Sequence, residues 1–170
     1  EMLARHAANP RTPKGPMPPI AGAFETISLA KVAKSAAEAK DLMYLRPTDG
    51  ITMNRDRLLA DAKAKALELA ANYTPPEKTT YTLPGPTGQT ALEIFLEGFA
   101  LQGKATPHDM VVCGKLAQIL TGGPKADITQ PVTEEQMLGL ERKAFMELVR
   151  TAGTIDRIEH MLTTGKPLRN

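Results

Sequence analysis

Cysteine is almost missing from this sequence: Cys113 is the one thiol in 170 residues. That excludes an internal disulfide and any zinc site built from several cysteines. Tryptophan is absent, and aromatic residues make up only 4% of the chain. With alanine abundant, this favours helices packed at close range over a β-sandwich. No apolar run approaches the length that a membrane span requires. Residues 1–10 carry no apolar signal-peptide core, so none is expected, and a reduced, cytoplasmic setting is the default. An excess of one charge is also lacking. Lysine and arginine number 21, aspartate and glutamate 19, for a net charge of +2. A nucleic-acid binder would show a basic stripe instead. Three histidines are present, none in HExxH or with a second ligand at i+4, and His108 and Cys113, five apart, fall on different helical faces. The spacing therefore predicts no metal site. No glycine-rich dinucleotide fingerprint appears.

What remains is 42% hydrophobic, enough for one domain or two small ones at roughly 100–200 residues each, with a core that needs no staples. The chain opens at Glu1 with EMLARHAAN, which reads as the end of a helix. We expect a piece of a longer polypeptide with its upstream part missing.

Local signals are mostly helical. PRTPKGPMPP (10–19) reads as a surface loop, since proline blocks helix for its predecessor. Ile20, Phe24, Ile27 and Lys31 then predict a helix near 21–33. Ser35–Glu38 has the form of a capping box opening a helix over 36–43. After the LRPTDG turn, Asn54 can cap a long helix to about Asn72. Leu59, Ala62, Ala66, Leu69 and Tyr73 would face its core, and Arg57, Asp61, Lys65 and Glu68 its solvent side.

Residues 74–89 break the pattern, with TTYTL as a short strand or extended crossing. Thr90–Glu93 reads as another capping box, opening a helix whose apolar face is Leu92, Phe95, Leu96 and Phe99 and which ends at Gly103. In the next helix Thr106 is the N-cap, Pro107 the first helical residue and Asp109 lies in the first turn. Val112, Cys113, Leu116 and Leu120 line its inside, and Gly122 ends it. Thr133–Gln136 opens a helix to about Arg150, with Val132 and Met137 as a staple and Met137, Leu140, Ala144 and Leu148 buried. A last helix from Thr154 would bury Ile155, Ile158, Met161 and Leu162. The fold class expected is all-α, a multi-helix array of about seven helices with at most one short strand.

The chemistry is sparse. Gly98–Ala105 falls one residue short of a phosphate-binding loop, having Ala105 where a serine or threonine is needed, and Gly98 lies inside an apparent helix. Cys113, among Val111, Val112 and Leu116, reads as a small core residue. Glu134 and Glu135 complement a helix dipole. No catalytic residue is assigned from the pattern.

Three stretches carry a likeness: AFETISLAKVAKSAAEAKDLMYLRPTDGITMNRDRLLADAKAKAL (23–67), GKATPHD (103–109) and IEHMLTTGKPLRN (158–170). They resemble the C-terminal end of large bacterial 3-hydroxyacyl-CoA dehydrogenases of fatty-acid β-oxidation. The likeness is specific over 23–67 and looser over 74–150. It implies an NAD-binding dehydrogenase region followed by an enoyl-CoA hydratase/isomerase-like, or crotonase-like, domain. Residues 1–73 would be the C-terminal helical part of that domain, 74–89 a linker, and 90–170 a C-terminal helical subdomain. The oxyanion-hole amides, catalytic groups and dinucleotide fingerprint would lie upstream of Glu1. NAD would thus belong to the parent protein and not to this piece. Lys166 and Arg169 are the candidates for contact with CoA phosphates, cations near a helix end being suited to that task. The implied partners are the upstream part of the same polypeptide and acyl-CoA, with a homo-oligomer left open. The alternative is a non-enzymatic helical module for assembly or partner binding.

Overall fold

The computed structural model describes all 170 residues. It contains helices α1 (Met2–Ala8), α2 (Met17–Ser28), α3 (Ala36–Asp41), α4 (Leu58–Ala70), α5 (Gly85–Leu101), α6 (Pro107–Leu120), α7 (Glu134–Leu148) and α8 (Ala152–Thr164). Strands β1 (Thr80–Tyr81) and β2 (Val132–Thr133) are two residues each. The all-α reading holds. The single expected strand has a partner, pairing antiparallel with Thr80 opposite Thr133 and Tyr81 opposite Val132. Packing forms two units: Glu1–Lys31 with Thr79–Asn170, and Val32–Lys78 by itself.

In the first unit α2 starts earlier than expected. Pro18 and Pro19 sit in its first turn, where a missing N–H leaves no helical bond unmade, so part of the proline-rich stretch is helix. It also ends earlier, at Ser28. Lys31 N–H reaches the Thr26 carbonyl and Ala30 N–H the Ile27 carbonyl, with Ala30 at φ 47°. This is a Schellman ending with alanine in the left-handed position that glycine usually fills. The same ending closes α5 at Gly103, whose amide meets Ala100 while Lys104 meets Phe99.

Thr90 is not an N-cap. The helix starts five residues earlier, at Gly85, and the Thr90 hydroxyl donates to the Pro86 carbonyl at 3.2 Å. Pro84 and Pro86 flank the true start, again using the first turn's spare N–H positions. Thr106 and Thr133 do cap α6 and α7. Each accepts from the residue three ahead, and that residue's side chain returns the bond.

The core gathers Leu3, Ile20, Ala23 and Phe24 from α1 and α2, Leu92 and Leu96 from α5, Cys113, Ala117 and Leu120 from α6, and Leu83 and Val132. Of the face expected on α7, only Ala144 is buried, while Met137 packs against the core from its edge. Nothing on α8 is buried, contrary to expectation for Ile155, Ile158, Met161 and Leu162. That helix is held by polar contacts described below.

In the second unit, Ser35 Oγ accepts the Glu38 amide at 3.1 Å and opens α3. Asn54 caps a 3₁₀ turn over Arg55–Arg57, which leads into α4. Here the reading of a buried face fails: no residue of α4 is buried, and Leu59 is 81% exposed. Its spacing is that of a core-facing helix, but within its unit its close neighbour is the 3₁₀ turn before it.

Candidate functional site

The densest polar constellation joins α8 to the start of α6. The Arg157 guanidinium donates to Asp109 Oδ1 at 2.8 Å, to Thr106 Oγ1 at 3.3 Å and to Asn170 Oδ1 at 2.7 Å. Asn170 then donates to the Gly153 carbonyl at 3.1 Å, and its own carbonyl accepts from His108 N–H at 3.2 Å. His108 Nε2 lies 2.9 Å from Thr154 Oγ1. One surface patch thus ties both ends of the capping box to a helix about 48 residues away in sequence.

Asp109 titrates below the usual carboxylate range. Burial works against its ionisation, but the Thr106 amide and hydroxyl and then Arg157 outweigh it. A carboxyl depressed in the fold stabilises above its unfolded pKa, about 3.9, and loses that contribution as pH falls through the lower folded value. Asp109→Asn should therefore cost about 1.5–3 kcal/mol at pH 7, the range for hydrogen bonds to charged groups. Its deficit against the parent chain should shrink steadily once the pH drops below about 4. Denaturant midpoints measured at pH 7 and in acid check this; a deficit independent of pH would refute it.

Lys166 and Arg169 do not converge. Arg169 donates to the Lys104 carbonyl at 3.0 Å, and Lys166 lies exposed past Gly165 with its amide on Thr164 Oγ1 at 3.1 Å. Neither lines the three cavities that follow.

The largest, about 490 Å³, is an open groove between α6, α7 and the loop joining them. Lys115, Lys125 and Lys143 line it over an apolar floor that includes Val132 and Leu140. Its one acid, Glu147, is bound to Lys115 and held below its ordinary pKa by that bond, with Lys143 adding to the effect. Sequence reading missed this groove, because its lysines lie on separate elements and each alone looks like a solvated surface charge. The second, about 400 Å³, is lined by apolar side chains of α1, α2 and the β1 region, including Leu3, Pro19, Tyr81 and Leu83. The third, about 380 Å³, includes Cys113, Asp109 and Arg157. Burial, then the Asp109 charge, pushes the Cys113 thiol up. The nucleophilic form is disfavoured there, in keeping with a core role.

No three His, Cys, Asp or Glu side chains gather to hold a metal ion. The residues do not fit a dinucleotide either. Gly98 lies inside α5 and Gly103 is its left-handed ending. Of the two strand-to-helix junctions, β2 runs straight into α7 with no glycine between them, and the turn from Tyr81 to Gly85 is plugged. The Gly85 amide donates to the Thr121 carbonyl at 2.9 Å, and the Ala126 carbonyl oxygen lies 2.0 Å from where a Cβ on Gly85 would stand. A pyrophosphate needs those amides and that space free. No helix is long and apolar enough to cross a membrane.

No family model matches the chain, and no solved structure matches it. Among curated proteins it is homologous to part of one described as "Probable 3-hydroxyacyl-CoA dehydrogenase" from Bacillus subtilis (strain 168), with 42% identity over 156 residues. The match covers 91% of this chain and 20% of that protein. The chain thus spans about a fifth of the length of the curated relative it matches.

Proposed function

We propose that these residues form a helical, non-catalytic part of a longer NAD-dependent 3-hydroxyacyl-CoA dehydrogenase that carries a crotonase-like region and serves cytoplasmic fatty-acid β-oxidation. The observation that carries this reading is the 42% identity along almost the whole chain to a fifth of a protein described as a probable 3-hydroxyacyl-CoA dehydrogenase. The plugged turn at Gly85 supports a seat for NAD elsewhere in the parent. The boundaries at 73 and 89 are then family domains rather than packing units. In this reading Lys166 and Arg169, in the tail past α8, each supply a cation to the phosphates of acyl-CoA held by the rest of the polypeptide.

Hydride transfer needs a positioned nicotinamide. Supplied with NAD and a 3-hydroxyacyl-CoA, the 170-residue chain should form no NADH, whereas the longer polypeptide should. In the longer enzyme, Lys166→Ala with Arg169→Ala should raise KM for the acyl-CoA several-fold and leave kcat near its parent value, as removal of uniform binding does. Turnover by the 170-residue chain, or a longer polypeptide that makes no NADH, would overturn the proposal.

A further inference from the structure

The exposed face of α4 has the pattern of an interface. Leu59, Ala62, Ala66 and Leu69 repeat at spacings of three and four, and Tyr73 continues the series just past the helix end. Leu59, Leu69 and Tyr73 are 81%, 59% and 67% exposed. At 100° per residue these positions form one stripe, with Lys63 on one shoulder and Lys65 on the other. The acids lie on the far side. Asp61 accepts from Thr52 at 3.1 Å and pairs with Arg57 at 3.4 Å, and Glu68 pairs with Lys65 at 2.7 Å.

We propose that this face seats a second helix, supplied by the part of the longer polypeptide outside these 170 residues, with apolar residues at matching spacing and a carboxylate facing Lys63. The inference rests on the chain being part of a longer protein, and it names the contact that holds the two parts together. Spacings of three and four are those of one helix laid along another. Alanine at both central positions lets the axes approach closely, whereas leucine there would hold them apart. The matched relative extends well beyond this chain, which spans 20% of it. A second copy fits poorly: it brings lysines to the shoulders, while its carboxylates stay on the far side. A lipid surface fits poorly too, because helices that lie on membranes present large apolar residues such as Trp, Phe and Leu, and half of this stripe on α4 is alanine.

The test compares the 170-residue chain with the longer protein. Hydrogen exchange at the amides of 58–70 should be at least tenfold slower in the longer protein. Leu59→Gln with Leu69→Gln should leave the melting temperature of the 170-residue chain unchanged and abolish the extra protection in the longer protein. Lys63→Glu should reduce that protection and Lys63→Arg should keep it. Equal exchange in both proteins would overturn the inference, and with NADH formation intact it would leave the functional reading standing. Two further results would also overturn it: concentration-dependent self-association of the chain that is lost on Leu59→Gln, or cosedimentation with phosphatidylglycerol vesicles lost in the same way.

Discussion

Phe24→Ala is expected to lower the stability of the unit formed by Glu1–Lys31 and Thr79–Asn170 by about 3–5 kcal/mol, the range for emptying a buried phenylalanine site. Phe24 has no exposed surface, and it stands on α2 beside Ile20 and Ala23, which are equally buried. Its ring meets the edge of Phe95 at 6.5 Å, and Phe95 meets Phe99 at 4.7 Å. Three of the chain's four phenylalanines therefore form one cluster. Such aromatic contacts add about 0.5–1.5 kcal/mol per pair beyond burial. The neighbours on α2 and α6 include Ala23 and Ala117, both fully buried, whose short side chains cannot swing into the space left behind. At roughly 2–4 °C per kcal/mol for a chain of this size, the melting temperature should fall on the order of 10 °C. Phe145→Ala is the control: that ring is 61% exposed, and its removal should stay within about 0.5 kcal/mol. Equal denaturation midpoints for the two variants would refute the placement of the core at Phe24.

The helices were legible where their ends are written in local chemistry. Thr106 and Thr133 cap because a hydroxyl in extended backbone finds the amide three residues on. Thr90 has the same sequence signature and fails, because the proline-flanked turn at Gly85 had already started the helix. The early end of α2 was hidden because alanine rather than glycine takes the left-handed position at residue 30. Burial was harder to read than periodicity. The stripes on α4 and α8 have core spacing but no cover, and a sequence period records that a face meets something without saying which chain supplies it.

The site was less legible than the fold, and for a physical reason. Arg157 meets Asp109 across 48 residues, and the lysines of the largest groove come from α6, α7 and the loop between them. No local spacing encodes such meetings. The link to 3-hydroxyacyl-CoA dehydrogenases came instead from extended likeness over 23–67, 103–109 and 158–170, and homology along 91% of the chain agrees with it at that level.

Gly85→Ala should be at least as damaging as the loss of Phe24, for reasons that no count of apolar contacts would show. Gly85 opens α5 at φ 62°, a conformation that costs an L-residue roughly 1–2 kcal/mol. A Cβ there would also stand 2.0 Å from the Ala126 carbonyl oxygen and 2.9 Å from its carbon. Backbone must move to relieve that, and the Ala126 loop has little freedom. It follows the Schellman ending of α6, where Gly122 N–H meets Ile119 and Gly123 N–H meets Gln118 at 2.8 Å. Overpacking of this kind typically costs about 1–3 kcal/mol. Any shift also pulls the Gly85 amide off the Thr121 carbonyl, a bond whose loss costs about 0.5–1.5 kcal/mol. These contributions overlap, and together they imply roughly 3–6 kcal/mol. Two other glycines separate the causes. Gly103 shares the left-handed backbone at φ 67° but has open space around its missing Cβ, so Gly103→Ala should show the conformational cost alone, roughly 1–2 kcal/mol. Gly50 has neither constraint, and Gly50→Ala should be neutral or slightly stabilising. The expected order of denaturation midpoints is Gly50→Ala highest, then Gly103→Ala, then Gly85→Ala far below. A Gly85→Ala chain as stable as Gly103→Ala would mean that the Ala126 carbonyl yields freely, and the turn before α5 would then be open to a ligand rather than plugged.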